Sequence, residues 1–104
     1  MTRLSPIDLN TTVMQTMDLV ASELDGETVV MNLARAAYYG LDATAQRIWN
    51  LIAQPCRVAD LCDILVSEYM VERKTCEQEV CTFLSELNKE GLIRVISDAS
   101  EKED

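Results

Sequence analysis

The chain contains no histidine. Imidazole is the commonest general base and the commonest metal ligand, so most hydrolytic and zinc-dependent mechanisms lose their usual central residue. Glycine and proline are scarce, with three and two copies in 104 residues. That excludes collagen-like and linker-like classes and leaves an ordinary globular chain with disorder confined to its ends. No apolar run approaches the length of a membrane span, and "MTRLSPIDLNTT" lacks the apolar centre of a secretory signal. The expected location is the cytoplasm, away from membranes, with thiols kept reduced. Cations are also few. Nine Lys and Arg stand against eighteen Asp and Glu, a net charge of −9. Affinity for a phosphate backbone comes mainly from clustered Lys and Arg, so nucleic acid is a poor partner and a basic or apolar peptide a better one.

What is present bounds the fold. A hydrophobic share of 48% over 104 residues supports one core. The four cysteines, Cys56, Cys62, Cys76 and Cys81, contain no C-x-x-C pair and fall on or beside helical apolar patterns, where they read as small apolar side chains. No metal, disulfide or cofactor is expected. From Met17 to Leu41 the period is that of strands. "MDLVASEL" puts Met17, Leu19 and Ala21 on one face, Asp25-Gly26 is a hairpin turn signal, and "ETVVMNL" puts Val29, Met31 and Leu33 on one face. A tight connection over Ala34 to Ala36 then leads into "AAYYGL", so the three strands form an antiparallel meander.

After Leu41 the period becomes helical. Asp42 is an N-cap for a helix with Ala45, Ile48, Trp49 and Ile52 on one face, ending before Gln54 and Pro55. A second helix is expected over about Val58 to Tyr69, without a Ser or Thr cap, with Val58, Leu61, Cys62, Leu65 and Tyr69 in one stripe. Thr75 to Gln78 matches a capping box and marks the start of a third helix, with Cys76, Val80, Phe83, Leu84 and Leu87 as its apolar stripe. Lys89 falls in its last turn and Gly91 stops it, after which "LIRVI" is extended. The fold class is α+β and winged-helix-like: an N-terminal three-stranded antiparallel sheet, then three helices and a short C-terminal extended segment. One domain spans 1–96, with 1–12 as a candidate flexible lead-in and 97–104 as a disordered acidic tail.

Helices followed by a short strand first suggest DNA binding, but the third helix carries Glu77, Glu79, Glu86 and Glu90 and would be repelled by phosphate. Asp60 with Asp63, and Glu77 with Glu79, lie on polar helix surfaces with no nucleophile or base beside them, so the chain is not expected to be an enzyme. Tyr38 and Tyr39 are more informative. Neighbours on a strand point to opposite faces, and the last strand of a meander is an open edge. Ala37, Tyr38, Tyr39 and Gly40 carry no charge, so this edge is a template for an added peptide strand. If the Tyr39 N–H faces the open side, proline at Tyr39 weakens that pairing more than proline at Tyr38.

The "YYGLD" junction, "RIW" on the first helix, Tyr69 closing the second and "FLSELNKEGLI" from Phe83 to Ile93 together resemble the PqqD-like family. These are the recognition elements of ribosomally made, post-translationally modified peptide pathways. The resemblance covers roughly Val13 to Val95, with Ala36 where many relatives have glycine and Asp42 where they have Asn. It is nearest in kind to the stand-alone lasso-peptide leader-binding proteins. It implies a non-catalytic domain that binds the leader of a precursor peptide as a further antiparallel strand and presents it to a separate maturation enzyme, such as a leader peptidase or cyclase. The leader would lie in a groove between the third strand and the third helix. On that basis the candidate peptide-binding residues are Ala37, Tyr38, Tyr39 and Gly40 on the strand and Cys76, Glu79, Val80 and Phe83 on the helix. The alternative functions are an acidic winged-helix interaction module or a transcriptional regulator.

Overall fold

A computed structural model of the chain describes residues 7–17 and 19–96. Positions 1–6 of the candidate lead-in and the acidic tail expected over 97–104 lie outside the described residues. The order of elements is β1 (Thr12–Gln15), β2 (Leu19–Leu24), β3 (Glu27–Asn32), β4 (Ala37–Leu41), α1 (Ala43–Leu51), β5 (Cys56–Arg57), α2 (Val58–Tyr69), α3 (Arg73–Lys89) and β6 (Ile93–Ile96).

The expected meander forms, with strand order β2-β3-β4 and antiparallel pairing throughout. Asp25 and Gly26 both take positive φ, 54° and 83°. This turn has the twist that suits a two-residue hairpin. Ala36 also sits at φ 55° in the connection to β4, a conformation that glycine adopts more cheaply than alanine. Which face of β3 is buried differs from the expectation. Thr28, Val30 and Asn32 face the core, whereas Val29 and Met31 lie on the outer face and Leu33 is exposed. Alternation fixes which residues share a face but not which face goes inward. Of the two polar residues on this buried face, Thr28 and Asn32, Asn32 finds hydrogen-bond partners there.

A second sheet, in the order β5-β1-β6, was not legible in the sequence. Its centre is β1, four residues long, with Val13 opposite Val95 on one side and Cys56 on the other. Strands this short carry little periodicity, and their partners are distant in sequence. Val13 is fully buried, and the Gln15 N–H donates to the Ile52 carbonyl at 2.9 Å. Just before β1, Ile7 joins the core, and the carbonyls of Leu9 and Thr11 accept from Ala59 and Val58 at the start of α2.

The helices complete the core. Asp42 caps α1, its side chain accepting from the Ala45 N–H at 2.8 Å, and Ile48, Trp49 and Ile52 are buried as their spacing requires. Helix α2 runs over the expected residues, with Arg57 as an N-cap that makes no side-chain bond. Val58, Leu61, Cys62 and Leu65 are buried, but Tyr69, at the end of the same stripe, is 43% exposed. Helix α3 begins at Arg73, with Glu72 as N-cap, three residues before the cap expected at Thr75. Tertiary bonds extend that first turn: the Arg73 guanidinium pairs with Asp63 of α2 and with Glu77, and donates to the Ala59 carbonyl. Thr75 donates instead to the Glu72 carboxylate at 2.7 Å. At the other end Gly91, at φ 75°, turns the chain. Gly91 N–H donates to Asn88 O and Leu92 N–H to Leu87 O, the paired bonds of a Schellman cap, with Leu87 and Leu92 both buried.

Candidate functional site

β4 is an edge of its sheet, so one row of its backbone groups has no strand partner. The register says which row. The two-residue turn is closed by the hydrogen-bonded pair Leu24–Glu27, so Glu27, Val29 and Met31 direct their backbone groups to β2, and Thr28, Val30 and Asn32 direct theirs to β4. Their partners on β4 are Leu41, Tyr39 and Ala37. The N–H and C=O groups of Tyr38 and Gly40 are therefore those that face the open side. The Tyr39 N–H is used inside the sheet and the Tyr38 N–H is the free donor, so of the two proline variants Tyr38→Pro is the one that removes an outward donor.

The two tyrosines divide as strand geometry demands. Tyr38 is 73% exposed on the outer face, in a cross-strand row with Val20 and Met31. Tyr39 points inward and spans the gap to α3. Its ring meets Phe83 edge to face with centroids 5.9 Å apart, and its Oη donates to Glu86 Oε1 at 2.6 Å. The hydrogen bond to Glu86, then burial and the charge of that carboxylate, raise the Tyr39 phenol above its ordinary pKa, so it stays a donor at neutral pH. Side chains, not backbone, bridge β4 and α3.

One end of this groove is tied shut. Asn32, buried on β3, donates from Nδ2 to the Gly91 carbonyl at 2.7 Å, and its Oδ1 accepts from the Arg35 N–H at 3.3 Å. Arg35 donates from Nη2 to the Lys89 carbonyl at 3.2 Å and packs so closely on Gly91 that a Cβ there would collide with it. The turn before β4 is thus fastened to the C-terminal end of α3.

The other end opens into a pocket of about 440 Å³. Ala45 and Ile48 of α1, Leu65 and Tyr69 of α2, Val71 of the connection, and Cys76, Val80 and Phe83 of α3 form its apolar walls, with Asp42 and Glu79 also lining it. All of Cys76, Glu79, Val80 and Phe83 thus line one cavity, and Tyr39 meets it through Phe83. Cys76 and Val80 are buried, so they form the floor, while Glu79 is exposed and Phe83 half-buried. None of Ala37, Tyr38, Tyr39 and Gly40 lines the pocket itself. Sequence reasoning did not place Glu86, Tyr69 or Val71 among the peptide-binding residues. Glu86 had a signal in its spacing of three from Phe83, and Tyr69 in lying at the end of the α2 stripe. Between α2 and α3, Met70 takes a left-handed φ of 56° and is 87% exposed, leaving apolar surface beside the pocket.

The thiols are free, and burial, with the adjacent Cys76 thiol, pushes the Cys62 pKa up, which makes a thiolate nucleophile unfavourable. Among the described residues no group of three or more His, Cys, Asp or Glu is arranged to hold a metal ion, and no helix is long and apolar enough to cross a membrane.

The domain is α+β and winged-helix-like, with an uncharged open strand edge beside an aromatic and acidic helix face. Residues 27–93 match the family described as Coenzyme PQQ synthesis protein D (PqqD), and the chain belongs to that family. Among solved structures, TbiB1 in complex with the TbiA(beta) leader peptide is 32% identical, the match covering 82% of this chain and 99% of that one with a TM-score of 0.71. Lasso peptide synthetase B1 complexed with the leader peptide shares the fold at 23% identity, over 79% of this chain and 96% of that one, with a TM-score of 0.69. No curated protein matches the chain.

Proposed function

We propose that this chain binds the leader segment of a ribosomally synthesised precursor peptide as a strand added to β4, and presents it to a separate maturation enzyme of the leader peptidase or cyclase type. The chain takes no covalent part in the maturation. The observation that carries this reading is the open β4 edge with its Tyr38 and Gly40 backbone groups unpaired beside the α3 wall. Family membership and two structural relatives that are themselves in leader-peptide complexes support it. Ala37 to Gly40 supply the strand, and Cys76, Glu79, Val80 and Phe83 supply the facing wall. Backbone bonds give affinity that tolerates many sequences, and the pocket gives choice. Each leader side chain fully buried in it contributes about 1.5–3 kcal/mol, so two or three anchors offset the cost of ordering a flexible peptide. The free thiols suit a reducing cytoplasm, where precursor peptides are made.

Amide hydrogen exchange tests this with a precursor leader peptide, such as the TbiA(beta) leader, as ligand. On binding, exchange at Tyr38 and Gly40 slows while the turn at Asp25 and Gly26 keeps its free rate. Binding with unchanged exchange along β4 refutes strand addition.

A further inference from the structure

Resting on the strand-addition reading above, we propose that the groove selects a peptide strand with an apolar side chain followed, two residues toward its C-terminus, by a lysine or arginine that lies along the Tyr39 ring and pairs with Glu86. The positions follow from the register. An antiparallel strand on β4 makes its hydrogen-bonded pairs opposite Tyr38 and Gly40, so the residue opposite Tyr39 is in a non-hydrogen-bonded pair, where the Cα atoms approach to about 4.5 Å and side chains are closest. It shares the inward face with Tyr39. The residue opposite Leu41 is inward too, and because the strands are antiparallel it comes two residues earlier in the peptide.

The two inward positions meet different surfaces. Opposite Leu41 a side chain stands beside the start of α1 and the pocket mouth, where Ala45, Ile48 and Phe83 offer apolar contact. Opposite Tyr39 it runs beside a phenol ring whose far end holds Glu86. Only one oxygen of that carboxylate, Oε1, receives the Tyr39 hydroxyl, and Glu86 forms no ion pair among the described residues. Lys89, three residues further along α3, lines a shallow cavity with Glu86 but forms no ion pair with it among the described residues, and Arg35 is held on the Lys89 carbonyl. A carboxylate at the end of an aromatic track suits a side chain with a long apolar stem and a charged head, and only Lys and Arg have one of the required sign.

The probe is a yeast-displayed library of random peptides about ten residues long, enough to span a strand. Peptides are sorted on the wild-type chain and counter-sorted on Tyr38→Pro, which lacks the outward N–H, to keep those that use the β4 edge. These should be enriched in Lys or Arg two positions after an apolar residue. Glu86→Gln keeps an acceptor for Tyr39 while removing the charge, and should weaken such peptides about fivefold, the upper end for a solvent-exposed pair. Replacing the peptide's Lys or Arg by Gln on the wild-type chain should do the same, with no further loss when both changes are combined. Edge-dependent peptides without basic enrichment, or equal affinity after the peptide-side change, overturn the cation preference and leave strand addition standing. Recovery of no edge-dependent peptide overturns both.

Discussion

Asn32 shows how much one side chain decides. It is a polar residue on the buried face of β3, and its amide group links Gly91, past the end of α3, to Arg35, before β4. Removing it loses the bonds to the part-buried Gly91 carbonyl and to the Arg35 N–H, together worth about 1–3 kcal/mol. Asn32→Ala should therefore lower the urea midpoint at constant slope by more than Asp42→Ala, which loses an exposed helix cap worth about 1 kcal/mol. If Asp42→Ala is the more damaging of the two, the clamp at the closed end of the groove is not a major anchor. The two residues differ equally in legibility. The Asp42 cap depends on its neighbours in sequence and could be read directly, while the partner of Asn32 lies fifty-nine positions away and no local pattern announces it.

At the scale of elements, the open edge of β4 is where binding and folding separate. Tyr38 and Tyr39 are adjacent, yet proline at each has a different expected outcome. Tyr38→Pro removes an outward donor and leaves the β3–β4 ladder intact, so the variant should keep its circular dichroism and melting temperature. It should bind peptide about three- to tenfold more weakly, the worth of one hydrogen bond. Tyr39→Pro removes an N–H from the Val30–Tyr39 pair and the side chain that meets Phe83 and Glu86, so it should lose stability first. Melting curves and titration calorimetry on both variants decide this, and a folded Tyr39→Pro with intact β4 would mean the register is misassigned. Helix α3 teaches a related point. A capping box at Thr75 is a sound local signal, but the bonds from Arg73 to Asp63, Glu77 and Ala59 draw three more residues into the helix.

For the whole molecule the governing quantity is a net charge of −9. Three of its arginines, Arg47, Arg57 and Arg73, are paired with carboxylates, so the acidic excess is left to steer ligands, and Glu79 and Glu86 place part of it on the groove. A peptide ligand carrying Lys or Arg should associate faster than a version with those residues changed to Gln. The difference should shrink toward physiological salt and above it, where charges farther apart than about 8 Å are screened. Stopped-flow association at several salt concentrations measures this, and equal, salt-independent rates for the two peptides would remove electrostatic steering from the account.

The sequence by itself determined the meander, the two-residue turn at Asp25-Gly26, the Asp42 cap, the extent of α2 and the stop at Gly91, because each depends on residues within a few positions of one another. It also placed the candidate site on the uncharged strand Ala37 to Gly40 and on one stripe of the third helix. Only the tertiary structure decided which face of β3 is buried, since alternation has no sign until another layer packs against it. The sheet around β1 likewise depended on partners far along the chain, too few residues at a time to leave a period. The use of Tyr39 to bridge β4 and α3, and hence the place of Glu86 at the end of its ring, required two elements to meet across the core. Periodicity along either one carries no information about that distance.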